Sequence, residues 1–449
     1  MPKFIRALYF SNLFWGLLIG LVLLLALSFV FSVLFPIARL AVALLFVLIA
    51  TDAWLLFRHK DGFFARRQVP ERLSNGDKNP IAIYLENSYG FWVSAEVIDE
   101  IPFQFQRRDV LFSTRLQAAE AQTLSYSLRP VKRGEYNFGA VNVFIMSPLR
   151  LIKRRYSFSQ NKTVAVYPSF VQMKQYEFRA VSNYLTNAGI KKVRRLGHSS
   201  EFEQIRTYIP GDDLRTINWK ATARRQTPMG LGLMVNAYQE EKSQAIYCLI
   251  DKSRVMKSPF EGLSLLDYAI NATLVLSHIA LLKQDRAGVM TFGETMGQML
   301  TADKKSGQLQ RILELLYKQK TRFLESDYQA LCAQVQTHVR QRSLLVLFSN
   351  FETVAALNRQ MPYLRRMAKA HLLVVVFFEN TELTQTRNEV AQNTEQIYLK
   401  TIAEKFFYEK KQIVKELQKY GIQAMPTAPK DLTANTINKY LELKARNMI

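Results

Sequence analysis

The chain has few residues of the kinds that bind metals tightly or form disulfide bonds. Among its 449 residues it has two cysteines, Cys248 and Cys332, and both lie in apolar segments typical of a protein core. Because neither has a metal-ligand spacing, they argue against a disulfide framework and favour a reducing compartment. The five histidines form no HExxH pattern, which argues against a zinc hydrolase.

Acidic residues are scarce relative to basic ones. The chain has 37 Asp and Glu against 60 Lys and Arg, a formal net charge of +23. Such a balance implies an anionic neighbour, either nucleic acid or the surface of a membrane. The share of hydrophobic residues, 49%, suits a folded rather than a disordered chain. The length leaves room for two or three soluble domains beside an anchor.

Charged residues are almost absent from two long apolar runs near the N-terminus. The first covers residues 7–34 and, after Pro36 and Arg39, the second covers 40–57. Each is close to the roughly 20 residues that cross a bilayer core, so residues 1–60 are predicted to form a transmembrane helical hairpin. The basic residues that flank the hairpin are Lys3, Arg6, Arg58, Lys60, Arg66 and Arg67. Positive charge at both ends predicts an inner-membrane protein whose soluble domains are cytoplasmic.

One acidic residue, Asp52, falls inside the second apolar run. A carboxylate at such a position is either interfacial or a functional intramembrane group. Because Asp52 lies near the end of the run, the interfacial position is favoured.

In residues 69–168, apolar residues recur at every second position. Ile81, Ile83 and Leu85 alternate with other residues, and turn signals such as Asn75-Gly76 separate the short strands. The pattern predicts a β-rich, sandwich-like antiparallel module. It contains no catalytic constellation, so a binding or spacer role is expected.

Residues 169–235 are predicted to contain a linker helix and an unusual central motif. From 197 to 225 the sequence reads GHSSEFEQIRTYIPGDDLRTINWKATARR. Its Pro-Gly-Asp-Asp segment indicates a turn, since aspartates there bond to their own backbone. The candidate partner-binding residues of the motif are Asp212, Asp213, Arg215, Asn218, Trp219, Lys220 and Arg224.

Three interpretations of the motif stay open. Its charged and aromatic side chains form an exposed interaction surface, or they form a network that clamps the linker to the next domain. In the third, Trp219 stacks on a nucleic-acid base while Lys220, Arg224 and Arg225 contact phosphates. A stacking platform needs several aromatic residues, so nucleic acid is the least favoured partner. No His or Cys nucleophile lies nearby, and catalysis by the motif is not indicated.

Residues 243–449 alternate between strand and helix patterns. An apolar run from Ala245 to Ile250 ends at Asp251 and reads as a buried parallel strand. Further strands are predicted at 287–292, 344–348, 372–378 and 422–425. The alternation predicts a doubly wound α/β sheet, in which ligands bind beyond the carboxyl ends of the strands.

The segment DKSRV, which begins at Asp251, resembles the DxSxS start of a von Willebrand factor A domain. The resemblance implies a divalent cation, Mg²⁺ or Mn²⁺, held by Asp251, Ser253 and Ser326, with Ser326 in the place of the family's threonine. Val255 replaces the second serine, and Asn350 stands where a second aspartate is expected, so the site is degraded. The alternative is that Asp251 and Ser253 only cap the following loop and helix.

Together, the hairpin, the β-rich module, the segment EFEQIRTYIPGDDLRTINWKATAR and the von Willebrand-like domain resemble the membrane proteins of unknown function that are encoded beside MoxR-type AAA+ ATPases. This resemblance implies a non-enzymatic adaptor that binds a MoxR-like ATPase and a client protein at the membrane.

Two other functions compete with the adaptor. One is a metal-dependent hydrolase or transferase that uses Asp251 with the pair Asp212 and Asp213. The other is a binder of nucleic acid or of the membrane surface, suggested by the charge alone, whose affinity should fall steeply with salt.

Overall fold

The protein is described by a computed structural model. It describes residues 7–107, 110–159, 161–174, 196–224, 226–227, 230–239, 243–379, 393–446 and 448. The contacts divide the chain into two units, Met1–Val171 and Gln172–Ile449. The predicted hairpin and β-rich module lie in the first unit, and the motif and the α/β domain in the second. Residues 175–195, in the region predicted to contain the linker helix, lie outside the described residues.

Two apolar helices form the start of the first unit. Helices α1 (Asn12–Val30) and α2 (Phe35–Phe57) are joined by a 3₁₀ turn at Ser32–Leu34. Both are long and apolar enough to cross a membrane, and most of their side chains are exposed in the protein alone. Lipid is the environment that stabilises such surfaces, so the structure suits the predicted membrane hairpin. Pro36 lies in the first turn of α2, where its missing N–H costs no helical bond.

The rest of the first unit is built of short strands. They are β1 (Leu8–Phe10), β2 (Phe63–Gln68), β3 (Arg72–Ser74), β4 (Asn79–Asn87), β5 (Val93–Asp99), β6 (Leu111–Leu116), β7 (Ala121–Leu128), β8 (Gly134–Phe138), β9 (Val141–Met146), β10 (Ile152–Phe158) and β11 (Lys162–Tyr167). They form sheets in the orders β1-β10-β9-β5-β6, β2-β4-β7 and β3-β11-β8. All pairs are antiparallel except the parallel pair of β11 with β3, which the sequence did not indicate. Ile81, Ile83 and Leu85 are buried, as their alternation predicted.

Hydrogen bonds join the hairpin to the β-rich module. Strand β1, which directly precedes α1, pairs with β10. Arg154 on β10 donates to three carbonyl oxygens at the end of α2, those of Leu56, His59 and Lys60. The anchor is therefore built into the fold of the module instead of being a flexible tether.

The second unit contains a six-stranded sheet in the order β20-β19-β16-β21-β22-β23. Its strands are β16 (Ala245–Asp251), β19 (Arg286–Phe292), β20 (Met296–Asp303), β21 (Leu344–Phe348), β22 (Leu372–Phe378) and β23 (Gln423–Thr427). Strands β17 (Pro259–Phe260) and β18 (Leu263–Ser264) form a separate hairpin, and β12 to β15 belong to the motif. The five predicted strands are present and parallel. After β16 the chain adds β19 and β20 on one side of that strand, and it later adds β21, β22 and β23 on the other side. The sheet is therefore doubly wound, with its switch point between β16 and β21. Edge strand β20 runs antiparallel and was not predicted.

Helices cover both faces of this sheet. They are α4 (Leu265–Leu282), α5 (Gln308–Tyr317), α6 (Tyr328–His338), α7 (Val354–Ala370), α8 (Thr394–Lys419) and α9 (Leu432–Ala445), numbered after α3 (Trp219–Arg224) of the motif. Alternate residues of β16 face two cores: Cys248 packs on the side of α4, α5 and α9, and Leu249 on the side of α6, α7 and α8. Cys248 and Cys332 are buried free thiols, as expected. Helix α8 begins at Thr394, where the side chain of Asn393 caps it.

Candidate functional site

The central motif is an excursion from a two-stranded ribbon. Strands β12 (Leu196–Thr207) and β15 (Met234–Gln239) pair antiparallel. Between them lie a turn, a 3₁₀ helix at Leu214–Thr216, the short helix α3 and a hairpin of β13 (Gln226–Thr227) and β14 (Gly230–Leu231). The predicted Pro-Gly-Asp-Asp turn is present, and Gly211 adopts a positive φ of 107°, which an L side chain would strain.

Asp212 fixes the turn of the motif. Its two carboxylate oxygens accept from the two terminal nitrogens of Arg206 at 2.8 and 2.5 Å. Oxygen Oδ2 also accepts from the backbone N–H of Ile209 at 2.9 Å. The hydrogen bond from Arg206, with that of Ile209, lowers the pKa of the Asp212 carboxyl below its usual range. Asp212 therefore serves the internal structure of the motif, and Arg206, outside the predicted set, is its partner.

Asn218 joins the start of α3 to the ribbon. Its side-chain oxygen accepts from the N–H of Ala221 at 2.9 Å, which caps the helix. Its amide nitrogen donates to Asn236 on β15 at 2.8 Å. Asp213 similarly accepts from the N–H of Arg215 at 2.9 Å and begins the 3₁₀ helix. The polar residues at these positions shape the backbone of the motif.

The remaining predicted residues of the motif point outward. Trp219 is 69% exposed, and two apolar residues outside the predicted set, Leu214 and Ile209, are 66% and 59% exposed. The basic side chains exposed beside them are Arg215, Lys220 and Arg224. We call these six residues the motif surface. Arg225, which the nucleic-acid interpretation requires, lies outside the described residues.

Asp251, at the carboxyl end of β16, is buried under hydroxyl groups. It is 1% exposed. Oxygen Oδ1 accepts from the Ser253 N–H at 2.8 Å and from the Ser326 hydroxyl. Oxygen Oδ2 accepts from the Ser349 hydroxyl at 2.6 Å, and the Tyr328 hydroxyl lies 3.4 Å from it. Burial, together with the Asp251 charge, raises the pKa of Tyr328 well above its ordinary value, so Tyr328 stays a proton donor.

Asn350 binds an ammonium group instead of facing Asp251. Its side-chain oxygen accepts from Nζ of Lys410 on α8 at 2.8 Å, and the Phe351 carbonyl accepts from the same nitrogen at 2.6 Å. Burial lowers the pKa of Lys410 to about 8, and the nearby charges of Glu352 and Glu379 oppose part of that shift. Asn350, which stands where the resemblance expects a second carboxylate, is therefore hydrogen-bonded to a cationic side chain.

These residues do not fit Mg²⁺ or Mn²⁺. Both oxygens of Asp251 already face proton donors, and the oxygen of Asn350 faces an ammonium group. A hard divalent cation requires several oxygen ligands with net negative charge. Here the Asp251 oxygens are taken up by hydrogen-bond donors and the Asn350 oxygen by the Lys410 ammonium group. The geometry favours the alternative in which Asp251 caps the following loop, here by accepting from the backbone N–H of Ser253. The Ser253 side chain makes no capping bond in the 3₁₀ turn that follows. Among the residues that the structure describes, Asp212 and Asp251 share no hydrogen-bond partner.

The pKa of Lys410 makes stability depend on pH in a defined direction. Between about pH 8 and its ordinary pKa of 10.5, the unfolded chain binds more protons at this lysine than the folded chain. The free energy of unfolding must therefore rise with pH across this window. The quantity to measure is the unfolding midpoint of the wild type minus that of Lys410→Met. We expect this difference to rise between pH 8 and pH 10 and to be constant below pH 7.5. A difference that falls with pH would contradict the lowered pKa.

Sequence reasoning missed four residues that complete these sites: Arg206, Ser349, Tyr328 and Lys410. Ser349 was detectable in principle, since it directly follows β21, the strand beside β16, where the carboxyl ends meet. Tyr328 and Lys410 lie on helices, and nothing in their sequence neighbourhood marks them among other tyrosines and lysines.

Comparison with known proteins finds similarity over the motif and part of the α/β domain. A family profile described as "Protein of unknown function DUF58" matches residues 204–393. The chain is also 28% identical over 239 residues to "Uncharacterized protein YeaD" of Bacillus subtilis (strain 168). That match covers 52% of this chain and 56% of the relative, so the chain spans about half the length of the relative it matches. The chain is thus similar to proteins described as of unknown function.

Solved structures match only part of the chain. The SpRpn10 VWA domain covers 44% of this chain and 94% of its own, at 13% identity and a TM-score of 0.29. The ASH / PapD-like domain of human CEP192 covers 23% of this chain and 83% of its own, at 15% identity and a TM-score of 0.18. Similarity at this level carries no functional argument.

Proposed function

We propose that this protein is a membrane-anchored, non-enzymatic adaptor that binds protein partners through the motif surface. The observation that carries the proposal is the exposure of Trp219, Leu214 and Ile209 on a motif whose polar residues are used to hold its backbone. Exposed large apolar side chains on a preorganised element are typical of binding sites, because their burial by a partner costs little ordering. A tryptophan with neighbouring arginines is the composition of an interface hot spot.

The partner that we propose is a MoxR-like AAA+ ATPase, with a client protein bound at the same membrane. The proposal rests on the resemblance of the motif and on the charge of its surface. Arg215, Lys220 and Arg224 give the motif surface a positive charge, so the patch it meets on the ATPase should be acidic. We further propose that the von Willebrand-like α/β domain lies on the cytoplasmic side, where such an ATPase has access to it.

The test is affinity purification of the full-length protein from its native membrane in mild detergent, with quantitative mass spectrometry. We expect a MoxR-like ATPase in amounts near those of the protein itself. Trp219→Ala should reduce its recovery strongly, since truncation of a hot-spot tryptophan costs about 2 kcal/mol or more, roughly a 30-fold loss of affinity.

The matched control is Phe103→Ala, which removes another highly exposed aromatic side chain, 84% exposed, from the β-rich module. Recovery of the ATPase should be unchanged in this variant. Equal recovery with wild type and Trp219→Ala would show that the motif surface is not the interface, and absence of any such ATPase would remove the proposed partner.

A further inference from the structure

The turn between β9 and β10 lies at the end of the hairpin where α1 begins and α2 ends. Ser11, the N-cap of α1, donates its hydroxyl to the backbone carbonyl of Arg150 at 2.5 Å. From the other helix, Asp52 accepts from the N–H groups of Leu151 and Ile152. Asp52 lies in the last two turns of α2. The β9–β10 turn is therefore fixed beside the same end of both apolar helices.

Tryptophan side chains mark this end of the hairpin as a membrane–water interface. Trp15 lies in the first turn of α1 and Trp54 in the last turn of α2, and both are more than half exposed. Tryptophan is enriched where a transmembrane helix meets the lipid head groups. Arg58, just after α2, has its guanidinium carbon 4.8 Å from the centre of the Trp54 ring. When the hairpin crosses a bilayer, the β9–β10 turn therefore lies at the level of the head groups.

Two arginines share one indole ring beside this turn. The guanidinium carbon of Arg115, on β6, lies 3.5 Å from the centre of the Trp92 ring, and that of Arg150 lies 5.7 Å from it. Both arginines are exposed. Within the described ranges neither forms an ion pair with a carboxylate, and Glu96 on β5 is already paired with Lys153 at 2.6 Å. Like charges that are held together repel each other, so the cluster favours an anion that contacts both.

The surroundings of the cluster favour an anionic phospholipid over a soluble anion. Guanidinium groups bind phosphate oxygens through paired hydrogen bonds, and a basic residue near an anionic lipid surface gains affinity for it. Leu149, next to Arg150, is exposed on the same turn. A lipid covers this apolar side chain, whereas a soluble phosphate leaves it in water.

We propose that Trp92, Arg115 and Arg150 bind the phosphate group of an anionic phospholipid in the bilayer that the hairpin spans. The two arginines donate to the phosphate oxygens, and the Trp92 ring keeps their guanidinium groups together. Leu149 contacts the apolar part of the same lipid. The site rests on the membrane anchor and not on the adaptor role, so the ATPase interaction and this site can fail separately.

The experiment is native mass spectrometry of the full-length protein in mild detergent, titrated with dioleoyl phosphatidylglycerol or dioleoyl phosphatidylcholine. The two lipids have the same acyl chains and differ in net charge. We expect the wild type to bind phosphatidylglycerol on the order of tenfold more tightly. The double variant Arg115→Gln, Arg150→Gln should lower this ratio at least about threefold, since each basic residue near the lipid contributes to the preference. An excess of glycerol 3-phosphate should not displace the lipid.

The matched control is the double variant Arg72→Gln, Lys162→Gln. It removes the same charge from two exposed residues of the sheet β3-β11-β8, whose core includes no described residue of the hairpin. Its ratio should equal that of the wild type. The variant Arg115→Lys, Arg150→Lys keeps the charge without the planar fork and should recover part of the preference.

Three results would overturn the proposal. The first is equal binding of the two lipids to the wild type. The second is a ratio in Arg115→Gln, Arg150→Gln no lower than in the control variant, because net charge alone would then explain the preference. The third is displacement of the lipid by glycerol 3-phosphate at equal concentration, which would make this a site for soluble phosphate esters.

Discussion

Replacing Asp251 with alanine is expected to destabilise the α/β domain by about 3–5 kcal/mol. The carboxylate accepts hydrogen bonds from the Ser253 N–H and from the hydroxyls of Ser326 and Ser349 inside the protein. Without it the buried Ser253 N–H and Ser349 hydroxyl and the half-buried Ser326 hydroxyl each lose an acceptor, and a buried donor left without one costs about 1–3 kcal/mol. The change should lower the thermal unfolding midpoint of the full-length protein in detergent micelles and accelerate hydrogen exchange in β16 and β21.

Two controls separate this structural role from a cation site. Ser253→Ala should cost little, since the contact of Ser253 with Asp251 uses the backbone N–H, which alanine retains. Millimolar Mg²⁺ or Mn²⁺ should leave the unfolding midpoint of the wild type unchanged, because a ligand that binds only the folded state would raise it. A rise with either metal that disappears in Asp251→Ala would restore the degraded cation site.

The sheet of the second unit was predictable because its strands are unbroken apolar runs. Leu344–Phe348 and Leu372–Phe378 have the predicted bounds and are buried along their whole length. Strand β20 was missed because Met296–Asp303 is only partly buried at the edge of the sheet, where polar residues are tolerated and the apolar pattern is weak. Runs that cross the core thus carry a clear signal, and edge strands do not.

The candidate site was predictable only where the sequence itself fixes the position. Asp251 ends an apolar strand, so its place at the switch point follows from the pattern. Its partner Ser349 lies 98 residues away, and Lys410 lies 60 residues from Asn350. Which lysine of α8 turns inward depends on how the helix packs on β22 and β23, and that packing has no local signature in the sequence.

The motif shows the same limit at short range. Its turn was predicted from the order of proline, glycine and aspartate. The sequence did not show, however, that Asp212 is used inside the motif whereas Trp219 is exposed. Asp212 is turned toward Arg206 by the ribbon, while Trp219 follows the cap Asn218 and faces outward. Residue type alone would have placed both in one interaction surface.

Replacing Asp52 with alanine is expected to loosen the joint between the hairpin and the β-rich module. Asp52, on α2, is fully buried within the protein, and its interfacial depth in the membrane stays a prediction. Its Oδ2 accepts from the N–H groups of Leu151 and Ile152 at 3.0 and 2.9 Å, and its Oδ1 accepts from the Ser147 hydroxyl. The helix thus supplies the acceptor for the turn between β9 and β10, and alanine leaves three donors unpaired, at about 1–3 kcal/mol each before relaxation.

The sharpest measurement is hydrogen exchange by mass spectrometry of full-length protein in mild detergent. In Asp52→Ala the amides of Leu151 and Ile152 should exchange at least tenfold faster, while peptides from the α/β domain are unchanged. Asp52→Asn retains one acceptor oxygen and should give an intermediate rate. The control Thr51→Ala alters the preceding residue, whose exposed hydroxyl bonds only to carbonyls of its own helix, Val47 and Leu48, and it should leave the turn protected. If exchange is unchanged in Asp52→Ala, the hydrogen bonds of Asp52 do not hold the turn. A function within the membrane would then be the better explanation for this buried carboxylate.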